Sequence, residues 1–241
     1  MNFTYNDYRK LIALLRDNGY TFANYHNFTE HNRCVIMRHD VDNSLSQAVR
    51  LAELEKEISV QSTFFVLLRT DFYNVASASA QKMLHRILEL GHEIGLHFDE
   101  MAYDGGSGEN MIHRILREKD ILSALLDTQV TTVSMHRPSK TTLEADWQIP
   151  DMVNSYGEEF FRDFKYLSDS HHHWREPVES IICTGEHDRL HILTHPFWYH
   201  DEEKSIAESV GAFIRSAQHE RYQQMAENIT DIDSIIKEEN I

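Results

Sequence analysis

The stretch Cys34-Val35-Ile36-Met37-Arg38-His39-Asp40-Val41-Asp42 runs from an apolar segment into a charged cluster, and a helical pattern over 44–58 follows at once. An apolar, β-branched run bounded by polar residues predicts a buried strand, and a strand leading directly into a helix is the building unit of a parallel sheet. The same alternation continues outward. Strand-like runs recur at 60–68, 92–96, 130–135 and 190–194, with helical periodicity at 6–18, 79–90 and 109–126 and stop signals at Gly19 and Gly91. The pattern predicts an α/β chain whose strands are parallel and form a sheet or barrel. The stretch 105–108 reads as the clearest flexible loop.

Two regions are less regular. Tyr156, Phe160, Phe161, Phe164 and Tyr166 fit neither period, so 148–169 is expected to be irregular with one strand. In the tail, Ile206, Val210, Phe213, Ile214, Ile232, Ile235 and Ile236 recur at helical spacing, which predicts C-terminal helices over 202–239. Nothing in the composition divides the chain. One domain over 1–241 is expected, with a motif core at 34–198 on which an N-terminal helix, 4–19, and the C-terminal helices pack.

Charge and composition narrow the function. Among 241 residues, 39 acids stand against 23 Lys and Arg, for a net charge of -16. That field repels phosphate backbones and anionic headgroups, so neither nucleic acid nor a membrane surface is an expected partner. The apolar runs at 11–15 and 64–68 are far short of the roughly 20 residues that a spanning helix needs, so no membrane insertion is expected. The first ten residues carry Asn2, Asn6, Asp7 and Arg9 where a secretory signal has a basic stretch and an apolar core, so a cytoplasmic location is expected. Cys34 and Cys183 are too few for a disulfide framework. Cys34 opens an apolar strand with no histidine tied to it by motif, which sets a cysteine hydrolase aside.

The chemistry concentrates at strand ends, where α/β proteins build their sites. Alternate side chains of an extended chain share a face, so Asp40 and Asp42 point together, roughly 7 Å apart. One can bind a metal while the other moves a proton. The competing reading is an N-cap for the next helix, filled by Asp42, Asn43 or Ser44. In Gly91-His92-Glu93-Ile94-Gly95-Leu96-His97-Phe98-Asp99, His97 and Asp99 share a face and His92 does not. Three further clusters follow: Ser134-Met135-His136-Arg137-Pro138, Asp169-Ser170-His171-His172-His173-Trp174-Arg175 and Leu193-Thr194-His195-Pro196-Phe197-Trp198. Each proline holds the residue before it extended.

In this order, and with Thr63-Phe64-Phe65 on the second strand, these motifs resemble the NodB-homology polysaccharide deacetylases, carbohydrate esterase family four. They look closest to the branch associated with bacterial surface-polysaccharide biosynthesis. The resemblance covers about 34–198. It implies a distorted (β/α) barrel of about seven strands with a C-terminal helical tail. It also implies one divalent metal, expected to be zinc, and hydrolysis of an N-acetyl group from an amino sugar or oligosaccharide. By position, Asp40 is implied as the general base, Asp42 and His97 as metal ligands, Arg137 as the group orienting the base, His195 as the general acid, and Asp169 as a support for His195 or for an arginine. Trp174 is implied as the wall of the acetyl pocket, with Arg175 and Trp198 also touching substrate.

Two positions depart from the family pattern. Val41 separates the two aspartates, and Met101, a poor zinc ligand, stands where the second metal histidine is usual. His136 or Asp99 is expected to supply the missing ligand, with His136 favoured because imidazole restores the ligand chemistry. A non-catalytic carbohydrate-binding protein on the same scaffold, or a hydrolase of another amide or ester, are the alternatives to a deacetylase.

Overall fold

The computed structural model describes residues 1–103 and 108–241. Eight strands, β1 (Thr21–Ala23), β2 (Cys34–Val41), β3 (Thr63–Leu67), β4 (Glu93–Asp99), β5 (Thr132–His136), β6 (Val153–Asn154), β7 (Lys165–Ser168) and β8 (Arg189–Thr194), form one sheet in which every pairing is parallel. Seven of them run in the order β6-β5-β4-β3-β2-β8-β7, and β1 adds to β2. The sheet curls into a distorted (β/α) barrel, as the sequence predicts, with β6 and β7 as its two ends. Both faces of β2 are buried throughout, which is why its sequence reads as apolar without alternation.

Helices α1 (Tyr5–Asp17), α2 (Leu45–Glu57), α3 (Ala78–Glu89) and α4 (Gly108–Leu126) follow the predicted pattern, and α5 (Lys140–Glu144), α6 (Glu158–Arg162) and α7 (Val178–Thr184) are short. The expected loop at 105–108 lies outside the described residues apart from Gly108, which opens α4. The stretch 148–169 holds more order than predicted: β6, α6 and β7 all fall within it. Its strands of two and four residues are too short to show a period.

The outward face of the sheet carries Val35, Met37 and Ile192 against α1 and α7, and Val66, Leu96 and Val133 against α2, α3 and α4. The inward face carries Cys34, Ile36 and Phe65 with Phe160 and Phe164, closing the floor of the barrel. Gly95 is required there. A β-carbon on it would lie 2.5 Å from the Phe65 ring and 2.6 Å from Thr132 Oγ1, inside van der Waals contact. On the outward side a buried carboxylate, Glu55 of α2, accepts hydrogen bonds from Tyr8 Oη, Ser62 Oγ and His39 Nε2 and ties α1 and α2 to β2.

The chain divides into two compact units, 1–201 and 202–241. The second consists of α8 (Ile206–Asn228), opened by a capping box between Ser205 and Glu208, and a tail whose Ile236 carbonyl accepts from Tyr222 Oη at 3.2 Å.

Candidate active site

A parallel sheet brings the carboxyl ends of its strands to one rim. There the extension of β2 carries Asp42, β4 carries His97 and Asp99, β5 ends on His136, and Asp169 and His195 follow β7 and β8 directly. Ser44, not Asp42, caps α2, accepting from Gln47 N at 3.3 Å, so the Asp42 carboxylate stays available.

Asp42, His97 and His136 each place one ligand atom within 4.8 Å of the others. Asp42 Oδ1 is 3.3 Å from His97 Nε2 and 3.8 Å from His136 Nε2, and this buried oxygen has no hydrogen-bond partner among the described residues. Donors held about 2.1 Å from a tetrahedral ion stand roughly 3.4 Å apart, so the three atoms fit a divalent metal. His97 Nδ1 donates to the Ser134 carbonyl at 3.4 Å, which leaves the Nε2 lone pair facing Asp42. Burial and neighbouring His97 hold the His136 imidazole below its ordinary pKa, in the neutral form a metal needs. Burial opposes the Asp42 charge, but His97, His195 and His136 outweigh it and hold the carboxyl below its usual range.

Asp99 takes a different place. Its Oδ2 accepts from Arg137 at 2.6 Å and lies 3.3 Å from His136 Nδ1, behind the imidazole rather than among the three converging atoms. Met101 sits in a short 3-10 turn and is 69% exposed, away from the metal donors.

Asp40 is held by Arg38. The guanidinium, wholly buried, donates through Nε and Nη2 to Asp40 Oδ1 at 3.2 and 3.0 Å and through Nη2 to Oδ2 at 2.7 Å. Ser134 and Ser155 accept further bonds from it, and its Cζ lies 5.2 and 5.1 Å from the rings of Phe65 and Tyr156. Burial alone would raise the Asp40 pKa, yet Arg38 and then His97 and His195 bring it below the ordinary value. The role the family resemblance assigns to Arg137 therefore falls geometrically to Arg38. Pro138 does not hold Arg137 extended as expected: the Arg137 backbone is left-handed, φ 49°, which breaks the strand alternation and sends its side chain, 65% exposed, to Asp99.

His195 Nδ1 donates to Asp169 Oδ1 at 2.6 Å, and the His195 backbone N–H reaches both Asp169 oxygens at 3.1 Å. Its other nitrogen, Nε2, faces Asp42 Oδ2 at 3.8 Å. Burial disfavours the imidazolium, but Asp169, with Asp42 and Asp40, outweighs it and raises the pKa to about 9. The ring is protonated at neutral pH.

These groups open into a cavity of about 540 Å³, within the usual range for a small-molecule site. Asp40, Asp42, His97, His136 and His195 form its floor, and Trp198 and Arg175 are in its wall. Trp174 is not. It lines a second cavity, of similar volume, beside Phe3 and Val178, and Arg175 borders both. Two successive left-handed residues, His171 (φ 61°) and His172 (φ 58°), turn the chain after Asp169 and place His171 in the wall of the first cavity. None of His171, His172 and His173 belongs to the metal-donor group. A triple alanine variant at these positions is expected to retain its full metal content by elemental analysis, and loss of the metal would place a ligand in this loop.

No family model matches the chain, and no curated protein does. Among solved structures it is similar to a family 4 carbohydrate esterase from Bacillus anthracis, at 15% identity over 84% of this chain and 81% of that one, with a TM-score of 0.44. It is also similar to the chitin deacetylase of the fungal pathogen Colletotrichum lindemuthianum, at 13% identity over 76% of this chain and 81% of that one, TM-score 0.48. A third is a CE4 family pseudoenzyme from Bacillus anthracis, at 16% identity over 79% of this chain and 62% of that one, TM-score 0.47.

Proposed function

We propose that this chain is a metal-dependent hydrolase that removes the N-acetyl group from an amino sugar in a polysaccharide or its precursor. The observation that carries the reading is the convergence of Asp42 Oδ1, His97 Nε2 and His136 Nε2 between an ionised carboxylate, Asp40, and a protonated imidazole, His195. His136 completes the ligand set that Met101 leaves short. A divalent ion held by these three side chains supplies Lewis acidity toward the acetamide carbonyl and makes a water acidic near neutral pH.

The protein's own groups do the rest. Asp40 Oδ2 takes one guanidinium hydrogen and faces His97 Nε2 at 3.6 Å, so its remaining lone pairs are aimed at the reaction centre. It accepts the proton of the water that adds to the acetyl carbon. The C–N bond then breaks with its electron pair on nitrogen, and His195 Nε2 gives that nitrogen a proton. Asp169 keeps the proton on Nε2 by fixing Nδ1–H toward its own carboxylate. Acetate and a free amine leave.

The test is acetate release from N-acetylated chito-oligosaccharides by zinc-loaded protein. Release that stops on chelation and returns with added zinc is expected. Zinc-loaded protein inert toward a panel of N-acetylated amino sugars would contradict the reading. The pH profile adds a second check. The form with His195 protonated is the active one, so activity is expected to fall as pH rises through the His195 pKa, about 9 without the ion's added positive charge. Asp169→Asn removes the charge that raises this pKa, so its alkaline limb is expected at lower pH. An unmoved limb would assign the titration to another group.

A further inference from the structure

The loop after β7 carries an arginine, Arg175, with no carboxylate partner among the described residues. Across the chain acids outnumber Lys and Arg by 39 to 23, yet the catalytic cavity is bordered by two carboxylates, Asp40 and Asp42, and by two guanidiniums, Arg137 and Arg175. Both carboxylates are engaged, one by Arg38 and one in the metal-donor group, and Arg137 is paired with Asp99. Arg175 is exposed and has no carboxylate partner among the described residues. The acid next to it, Glu176, is taken by Lys165 at 2.6 Å. Its place is fixed by the main chain: His173 N bonds to Asp169 O at 3.3 Å and Arg175 N to Ser168 O at 3.5 Å, folding the loop back onto the end of β7. Arg175 thus borders both the catalytic cavity and the second cavity, the one lined by Trp174.

We propose that the substrate is an anionic amino-sugar conjugate, and that Arg175 binds the phosphate or carboxylate attached next to the acetylated ring. An arginine fork matches either anion, and a cation that is unpaired in so acidic a protein selects for negative charge at that point. The identity of the ring in the catalytic cavity rests on the deacetylase reading; the anion site does not.

The experiment is calorimetric binding of three probes to zinc-loaded protein at low salt: N-acetylglucosamine, N-acetylglucosamine 1-phosphate, and N-acetylglucosamine linked to glucuronic acid. At least one charged probe is expected to bind about tenfold more tightly than the neutral one, the scale of a charge-assisted hydrogen bond. In Arg175→Gln the preference is expected to shrink to within about twofold, and in Arg175→Lys to return in part, because lysine keeps the charge without the fork. Preference for the phosphate probe alone identifies a phosphate conjugate as the substrate class, and preference for the uronic acid alone an acidic oligosaccharide. Equal binding of all three probes, or a preference that survives in Arg175→Gln, overturns the proposal. Acetate release is read separately. Charged probes that bind through Arg175 without being hydrolysed would sink the hydrolase reading and leave the anion site standing, whereas indiscriminate binding with normal acetate release would do the reverse.

Discussion

Asparagine in place of Asp40 is expected to lower kcat for acetate release by about 10²- to 10⁴-fold, the range a positioned base contributes, while zinc stays bound. The carboxylate sits beside the metal donors but is not one of them: its Oδ2 is 3.6 Å from His97 Nε2, and Asp42, His97 and His136 make the set without it. Asparagine keeps the shape and removes the proton acceptor. It also removes a carboxylate paired with the buried Arg38, so the fold is expected to lose about 3 kcal/mol, near the lower end for a broken buried ion pair. The amide oxygen still accepts from the guanidinium, and Ser134 and Ser155 remain, which is why the loss sits at that end. Thermal melts and zinc content taken with the kinetics separate the two effects. A folded, zinc-loaded variant with normal kcat would remove Asp40 from the chemistry.

Alanine in place of His136 is expected to abolish stoichiometric zinc binding and acetate release together, whereas alanine in place of Asp99 is expected to weaken zinc binding about 10- to 100-fold, as loss of a group supporting a ligand does. The contrast follows from position. His136 Nε2 is one of three converging donors, and Asp99 stands on the far side of the imidazole, 3.3 Å from Nδ1 and bonded to Arg137. Zinc titration of both variants decides between them. Full occupancy in His136→Ala with loss in Asp99→Ala would exchange the two roles.

Much of this centre was legible because strand alternation is a strict rule. Arg38, Asp40 and Asp42 share one face of β2 and its extension, and His97 and Asp99 share one face of β4, so the sequence places their side chains in the barrel. Alternation could not choose between Asp99 and His136, which lie opposite one another in the ladder; the choice depends on how far each side chain reaches beyond the backbone. It also fails where the backbone turns left-handed. Arg137 at φ 49° swings to Asp99, and the turn at His171 and His172 carries Trp174 to the second cavity and brings His171 into the first. A histidine tolerates that backbone better than most residues, so nothing in the run of three signals the turn. Arg38 has the same parity as Asp40, but the motifs give it no role and assign the orienting of the base to Arg137. What the sequence could not show is that Gly95 leaves room for Phe65, against whose ring the buried guanidinium lies.

Anomalous diffraction at the zinc edge from crystals grown with zinc reads the ligand set itself. The expected result is one ion per chain with Asp42 Oδ1, His97 Nε2 and His136 Nε2 each within about 2.2 Å, and Asp40 and His195 close by without coordinating. An ion held by Asp99 in place of His136, an ion bound elsewhere, or no ion at this rim would contradict it.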